Sequence, residues 1–125
     1  LMGAALEVAH EKLAKVILNE TKSDADRSDA LHMLAVAFNE VERFDDALDC
    51  ARLALELSGK RTARLLKTMA EVHLAMSKYE LAEKYADEAL QVATATGSMV
   101  QETKRTLMII LTHMRKTDAA RVLSE

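Results

Sequence analysis

Apolar residues recur at intervals of three and four along most of the chain, and short polar stretches interrupt them. Leu6, Ala9, Leu13, Val16 and Ile17 mark a first amphipathic helix over residues 4–18, which ends in the polar run 19–24. Ser23-Asp24-Ala25-Asp26 then supplies a hydroxyl and carboxylates suited to a helix start, where they accept orphan N–H groups and meet the positive end of the dipole. The second predicted helix carries Leu31, Leu34, Ala35, Phe38 and Val41 and turns at Glu42-Arg43. The third opens at Phe44 with Asp45 and Asp46 in its first turn, and Ser58-Gly59-Lys60 closes it with Gly59 as a left-handed cap. Leu66, Met69, Ala70, His73 and Met76 line a fourth, Ser77-Lys78 makes the turn, and a fifth runs from Tyr79 to about Ala95, ended by Gly97. Leu107, Met108, Leu111 and Met114 predict a sixth. A turn at Arg115-Lys116 and a short seventh from Thr117, with Asp118, Ala120 and Val122, complete an all-α chain of about seven helices.

The pattern also repeats at a longer range. Residues 43–57 (RFDDALDCARLALEL) match residues 78–92 (KYELAEKYADEALQV) after 35 positions. Phe44 pairs with Tyr79, Ala47 with Ala82, Ala51 with Ala86 and Ala54 with Ala89. Three of these four positions are alanine, and alanine along one face lets a neighbouring helix approach closer than the usual ~8–10 Å. A unit that buries one narrow stripe must stack on its neighbours to be stable. The expected organisation of residues 1–125 is a single helical-repeat domain. Residues 1–20 form an unpaired helix of the second type, 23–58 and 60–95 form two repeats, and 98–125 form a partial one.

Composition narrows the class. Half of the 125 residues are apolar, none is proline, three are glycine and 3% are aromatic, so good helix formers dominate and strand signals are lacking. A net charge of −3 with interspersed signs lacks the clustered basic face of a nucleic-acid binder. No apolar run reaches the ~20 residues of a membrane span. The single cysteine, Cys50, cannot close an internal disulfide, which favours a reducing, cytoplasmic setting. The chain opens Leu1-Met2-Gly3 and stops at Glu125 within a helical stretch, as expected of a piece of a longer polypeptide.

Helix pairs repeating at this spacing resemble the tetratricopeptide repeat family. The residues that carry the resemblance are Leu31, Leu34, Ala35, Phe38, Phe44, Ala47, Ala51 and Ala54 in one unit, and Leu66, Met69, Ala70, Tyr79, Ala82, Ala86 and Ala89 in the next; a third copy keeps Leu107, Leu111 and Ala120. From Ala9 through Ala47 and Ala82 to Ala120 the intervals are 38, 35 and 38, closer to the extended-spacing branch than to the 34-residue members. The family's first-helix aromatic is leucine here, its turn glycine is replaced by Glu42, Ser77 and Arg115, and its closing proline is absent. The resemblance implies a right-handed α-solenoid of antiparallel helix pairs whose first helices line a concave, ligand-holding groove. Its groove positions fall on Asp29, His32, Val36 and Asn39, on Arg64, Lys67, Glu71 and Leu74, and on Glu102, Arg105, Ile109 and Thr112.

On this reading Arg64, Lys67 and Arg105 make a small basic spot flanked by Val36, Leu74 and Ile109, suited to a partner peptide or helix with an acidic group and an apolar anchor. The alternative is that these cations form a solvated, salt-bridged face. The lysine and asparagine of a terminus-holding carboxylate clamp do not occur together in one first helix. No catalytic, cofactor-binding or metal site is expected. No two histidines stand at i and i+4, no glycine-rich phosphate loop or serine-centred elbow occurs, and Cys50 has no neighbouring base. His73 falls where Phe38 sits one unit earlier and reads as a core-edge residue; His32 and His113 read as groove or rim residues. His10-Glu11-Lys12 on an amphipathic helix raises a phosphotransfer bundle, but that class leaves the repeat unexplained. The methionines read as packing filler, Met33 less clearly than the rest. The expected function is therefore a non-catalytic protein–protein interaction scaffold. Self-association into a homodimer through exposed apolar ends is the alternative.

Overall fold

The computed structural model describes residues 23–124, with side chains as far as Lys116 and at Asp118. Among these residues it contains five α-helices and no strand: α1 (Asp24–Glu40), α2 (Phe44–Ser58), α3 (Ala63–Ala75), α4 (Tyr79–Thr96) and α5 (Val100–Ser124). The helix predicted over residues 4–18, with His10, lies outside the described residues, as do the side chains of Ala120 and Val122. Packing divides the chain into two compact units, Leu1–Arg61 and Thr62–Glu125. The division falls where one repeat gives way to the next.

Side-chain caps start two of the helices. The Ser23 hydroxyl accepts from the Asp26 N–H at 3.2 Å and the Thr62 hydroxyl from the Leu65 N–H at 3.3 Å. α1 and α3 then end in one and the same way. Glu42 and Ser77 both take the left-handed conformation, at φ 64° and 61°. In the first turn the Arg43 N–H donates to the Phe38 carbonyl at 2.9 Å and the Glu42 N–H to Asn39 at 3.2 Å; in the second, Lys78 donates to His73 and Ser77 to Leu74, each at 2.9 Å. This crossed pair of bonds is a Schellman cap, and here a glutamate and a serine fill the position that glycine usually takes. Gly59 and Gly97, at φ 66° and 71°, end α2 and α4 as the sequence predicts.

In the first unit α1 packs on α2. Leu31, Leu34, Ala35 and Phe38 are buried on one side, and Leu48 with the stripe Ala47, Ala51 and Ala54 on the other. With no side chain beyond Cβ along the stripe, the backbones come close enough for the buried Ser28 hydroxyl to donate to the Ala54 carbonyl at 2.9 Å. That bond satisfies a buried polar group and fixes the sliding register of the two helices. Arg43 secures the turn between them. Its guanidinium lies 4.8 Å from the centre of the Phe38 ring and pairs with Asp46 at 2.8 Å.

In the second unit α4 packs on both α3 and α5, which also meet each other. The stripe Ala82, Ala86, Ala89 and Ala93 is buried. Ala70, Ala82, Ala86 and Ile110 form a cluster, with Leu74, Tyr85, Leu107 and Met114 packed half-exposed against it. α3 is buried on more than the face its periodicity marks, since Leu65, Thr68 and Val72 join Leu66, Met69 and Ala70 inside. The buried hydroxyls of Thr68, Thr103 and Thr106 each donate to the carbonyl four residues back, which removes the cost of burying them.

The C-terminal part departs from the sequence-based expectation. α5 continues as one helix of 25 residues through Arg115-Lys116, so the turn and the separate seventh helix predicted there do not form. At the two turns that do form, an aromatic residue follows, Phe44 or Tyr79, and its partial burial offsets a left-handed non-glycine residue that costs ~1–2 kcal/mol. Thr117, which carries no aromatic ring, stands at the corresponding place after Arg115, while Arg115 and Lys116 favour helix. The apolar face of α5 shifts accordingly. Thr103, Thr106 and Ile110 are buried, whereas Met108 and Leu111 are 67% and 41% exposed.

Candidate functional site

The twelve residues expected to face a ligand are all at least partly exposed. On α1, Asp29 and Val36 are exposed and His32 and Asn39 half-buried, on the opposite side from Leu31, Leu34, Ala35 and Phe38. Helical spacing accounts for this, because positions 29, 32, 36 and 39 follow one stripe while 31, 34, 35 and 38 follow another.

In the second unit, α3 presents Arg64, exposed, with Lys67, Glu71 and Leu74 half-buried; α5 presents Glu102, Arg105, Ile109 and Thr112, all exposed. These eight residues do not play equal parts. The Lys67 ammonium pairs with the Glu71 carboxylate at 2.7 Å, one helical turn away. An acidic ligand at Lys67 must therefore compete with a charge already in place. Leu74 packs against the Ala70, Ala82, Ala86 and Ile110 cluster, so its side chain contributes as much to the core as to the surface. Ile109, 45% exposed, is the better apolar anchor. The cations at this surface are Arg64 and Lys67 on α3 and Arg105 on α5.

Two histidines sit in packing roles. His73 is buried, and its ring stacks on that of Tyr85 with centroids 5.2 Å apart and planes 3° from parallel. It occupies the place of Phe38 in the first unit, as the sequence reading expects. His113, exposed on α5, stacks on Tyr79 at 6.0 Å and 9°, which ties the start of α4 to α5. No three histidines, cysteines, aspartates or glutamates among the described residues converge as a metal-holding group. Cys50 is half-buried on α2. Its surroundings push the thiol up to about 11, first through burial and then through the negative charges of Asp46 and Asp49. The reactive thiolate is therefore disfavoured near neutral pH. A trough of about 610 Å³ is lined by Asp87, Leu90, Gln91, Thr94 and Ala95, all from one side of α4; no periodic signal distinguished this side in the sequence.

No helix among the described residues is long and apolar enough to cross a membrane. Comparison with protein-family models, with curated proteins and with solved structures found no match for the chain.

Proposed function

We propose that this chain is a non-catalytic protein-binding module of the tetratricopeptide-like α-solenoid class, working in the cytoplasm, that holds a segment of a partner protein against the exposed faces of its first-type helices. The observation that carries the reading is the depth of the repeat. Residues 35 apart share the alanine stripe, the left-handed residue at Glu42 and Ser77, and the same pair of capping hydrogen bonds. Paired helices that devote one face to alanine packing leave the other face of the first helix for recognition.

In the second unit that face is Arg64, Lys67 and Glu71 of α3 with Arg105 and Ile109 of α5. The ligand that suits it is an extended or helical peptide bearing a carboxylate for the cations and an apolar side chain for Ile109. Screening an acidic-apolar peptide library against the chain tests this reading. Lys67→Glu combined with Arg105→Glu abolishes capture of the selected peptides and leaves the mass in solution unchanged. Peptides that bind the doubly reversed variant equally well would remove the proposed site.

One observation favours self-association as a second reading. Met108 and Leu111, one helical turn apart on α5, are both exposed apolar residues.

A further inference from the structure

Two exposed helix faces, one in each unit, carry the same spacing and opposite charge. On α1, Asp29, Met33, Val36 and Glu40 follow one another at intervals of four, three and four residues, and all four are exposed. On α5, Lys104, Met108, Leu111 and Arg115 do the same. Each set is a short seam with two apolar residues in the middle and a charge at either end, acidic on α1 and basic on α5. The middle residues are open to solvent, Met33 at 61%, Val36 at 39%, Met108 at 67% and Leu111 at 41%. Intervals of four and three are those by which one helix packs along another.

The α5 face also has a helix-packing register. Met108 and Leu111 stand 38 residues after Ala70 and His73. On α3 those two are buried, Ala70 in the cluster with Ala82 and Ala86 and His73 against Tyr85, all from α4. α5 runs on through Arg115-Lys116 without reversing, and its Met108 and Leu111 are exposed where Ala70 and His73 of α3 are buried.

We propose that the occupant is a second copy of this chain, with α1 of one copy lying antiparallel along α5 of the other. In that alignment Asp29 meets Arg115, Met33 meets Leu111, Val36 meets Met108 and Glu40 meets Lys104. The antiparallel direction also sets the helix dipoles in opposition. The seam stops where Asp26 would meet Asp118 with like charge, so the contact is short and the association weak. The inference deepens the self-association reading by naming its surface. It does not rest on peptide capture, whose cations Lys67 and Arg105 take no part in the seam.

The test is the mass of the full chain by light-scattering chromatography and sedimentation equilibrium, from about 10 µM to about 1 mM, a range that brackets weak complexes. The mass rises with concentration, and Met108→Asp combined with Leu111→Asp holds the chain monomeric throughout. Glu40→Lys alone and Lys104→Glu alone each weaken association roughly tenfold, as loss of a paired charge between helices does. Glu40→Lys with Lys104→Glu restores it, and Glu40→Lys with Arg115→Glu does not. All these positions are exposed, so the helical circular dichroism stays as in the parent chain. A parent chain that remains monomeric at about 1 mM overturns the proposal and leaves peptide capture standing. So does a Met108→Asp, Leu111→Asp variant that associates like the parent, or a charge swap at positions 40 and 104 that recovers nothing.

Discussion

Glu42 and Ser77, 35 residues apart, hold the same left-handed backbone conformation and sit inside the same pair of capping hydrogen bonds. Neither is glycine, so each turn carries a steric cost that a glycine would not. Glu42→Gly and Ser77→Gly are expected to stabilise the chain by about 0.5–1 kcal/mol each, after the greater unfolded-state freedom of glycine is set against the relieved strain. Gly59→Ala and Gly97→Ala are expected to act in the opposite sense, by about 1 kcal/mol each, through backbone strain alone. An added Cβ at either glycine meets nothing within 4 Å. Urea denaturation of the four variants checks both signs.

The alanine stripes set a second expectation. Ala51 and Ala86 are buried with neighbouring helices against them. Ala51→Leu and Ala86→Leu force the helices apart and should destabilise by ~1–3 kcal/mol or more. The same change at exposed Ala95 should stay within about 0.5 kcal/mol. Thermal unfolding of the three variants separates the cases.

Ser28 offers a finer probe. Its hydroxyl is buried and donates across the pair to Ala54. Ser28→Ala should cost about 1 kcal/mol, and Ser28→Val more, because the stripe leaves no room for branching. Hydrogen exchange should show the loss concentrated in α1 and α2.

Cys50 links pH to both reactivity and stability. With its thiol raised to about 11 from 9.0, alkylation at pH 8 should run roughly a hundredfold slower than for an unshifted thiol, in line with the thiolate fraction. Removing a nearby negative charge with Asp49→Asn should speed it severalfold. The sign for stability follows from the same shift. Below pH 9 the thiol is protonated in both folded and unfolded chains and contributes no slope. Between pH 9 and 11 the unfolded chain ionises first, so stability falls as pH rises, and Cys50→Ser should flatten that slope. Iodoacetamide kinetics and denaturation across this window test the pair of statements.

Much of this architecture was legible in residue order because its determinants are local. Ser23 capping α1, Gly59 and Gly97 ending α2 and α4, and the buried alanines all answer to spacing and to backbone preference. His73 could be placed inside by its alignment with Phe38. What escaped the sequence depended on tertiary packing. Leu65 and Val72 lie off the main stripe of α3 and are buried nonetheless, because α3 is enclosed on more than one side. The turn expected at Arg115-Lys116 fails since Thr117 has no ring to bury, although the dipeptide looks as polar as Glu42-Arg43. In the candidate site, the twelve positions implied by the family resemblance are all at least partly exposed. Helical phase could not show that Lys67 is held by Glu71 or that Leu74 leans into the core.

The Lys67–Glu71 pair leads to the measurement that bears most directly on the proposed function. Peptides selected for an acidic group and an apolar anchor are titrated against the parent chain, Glu71→Gln, and Lys67→Glu with Arg105→Glu, with affinity read by fluorescence anisotropy. Releasing Lys67 from its intrahelical partner should tighten binding by severalfold in Glu71→Gln, whereas the double reversal should abolish it, both effects shrinking as salt is raised. Equal affinity across all three proteins would contradict the account, and the cations on α3 and α5 would then be only a solvated surface.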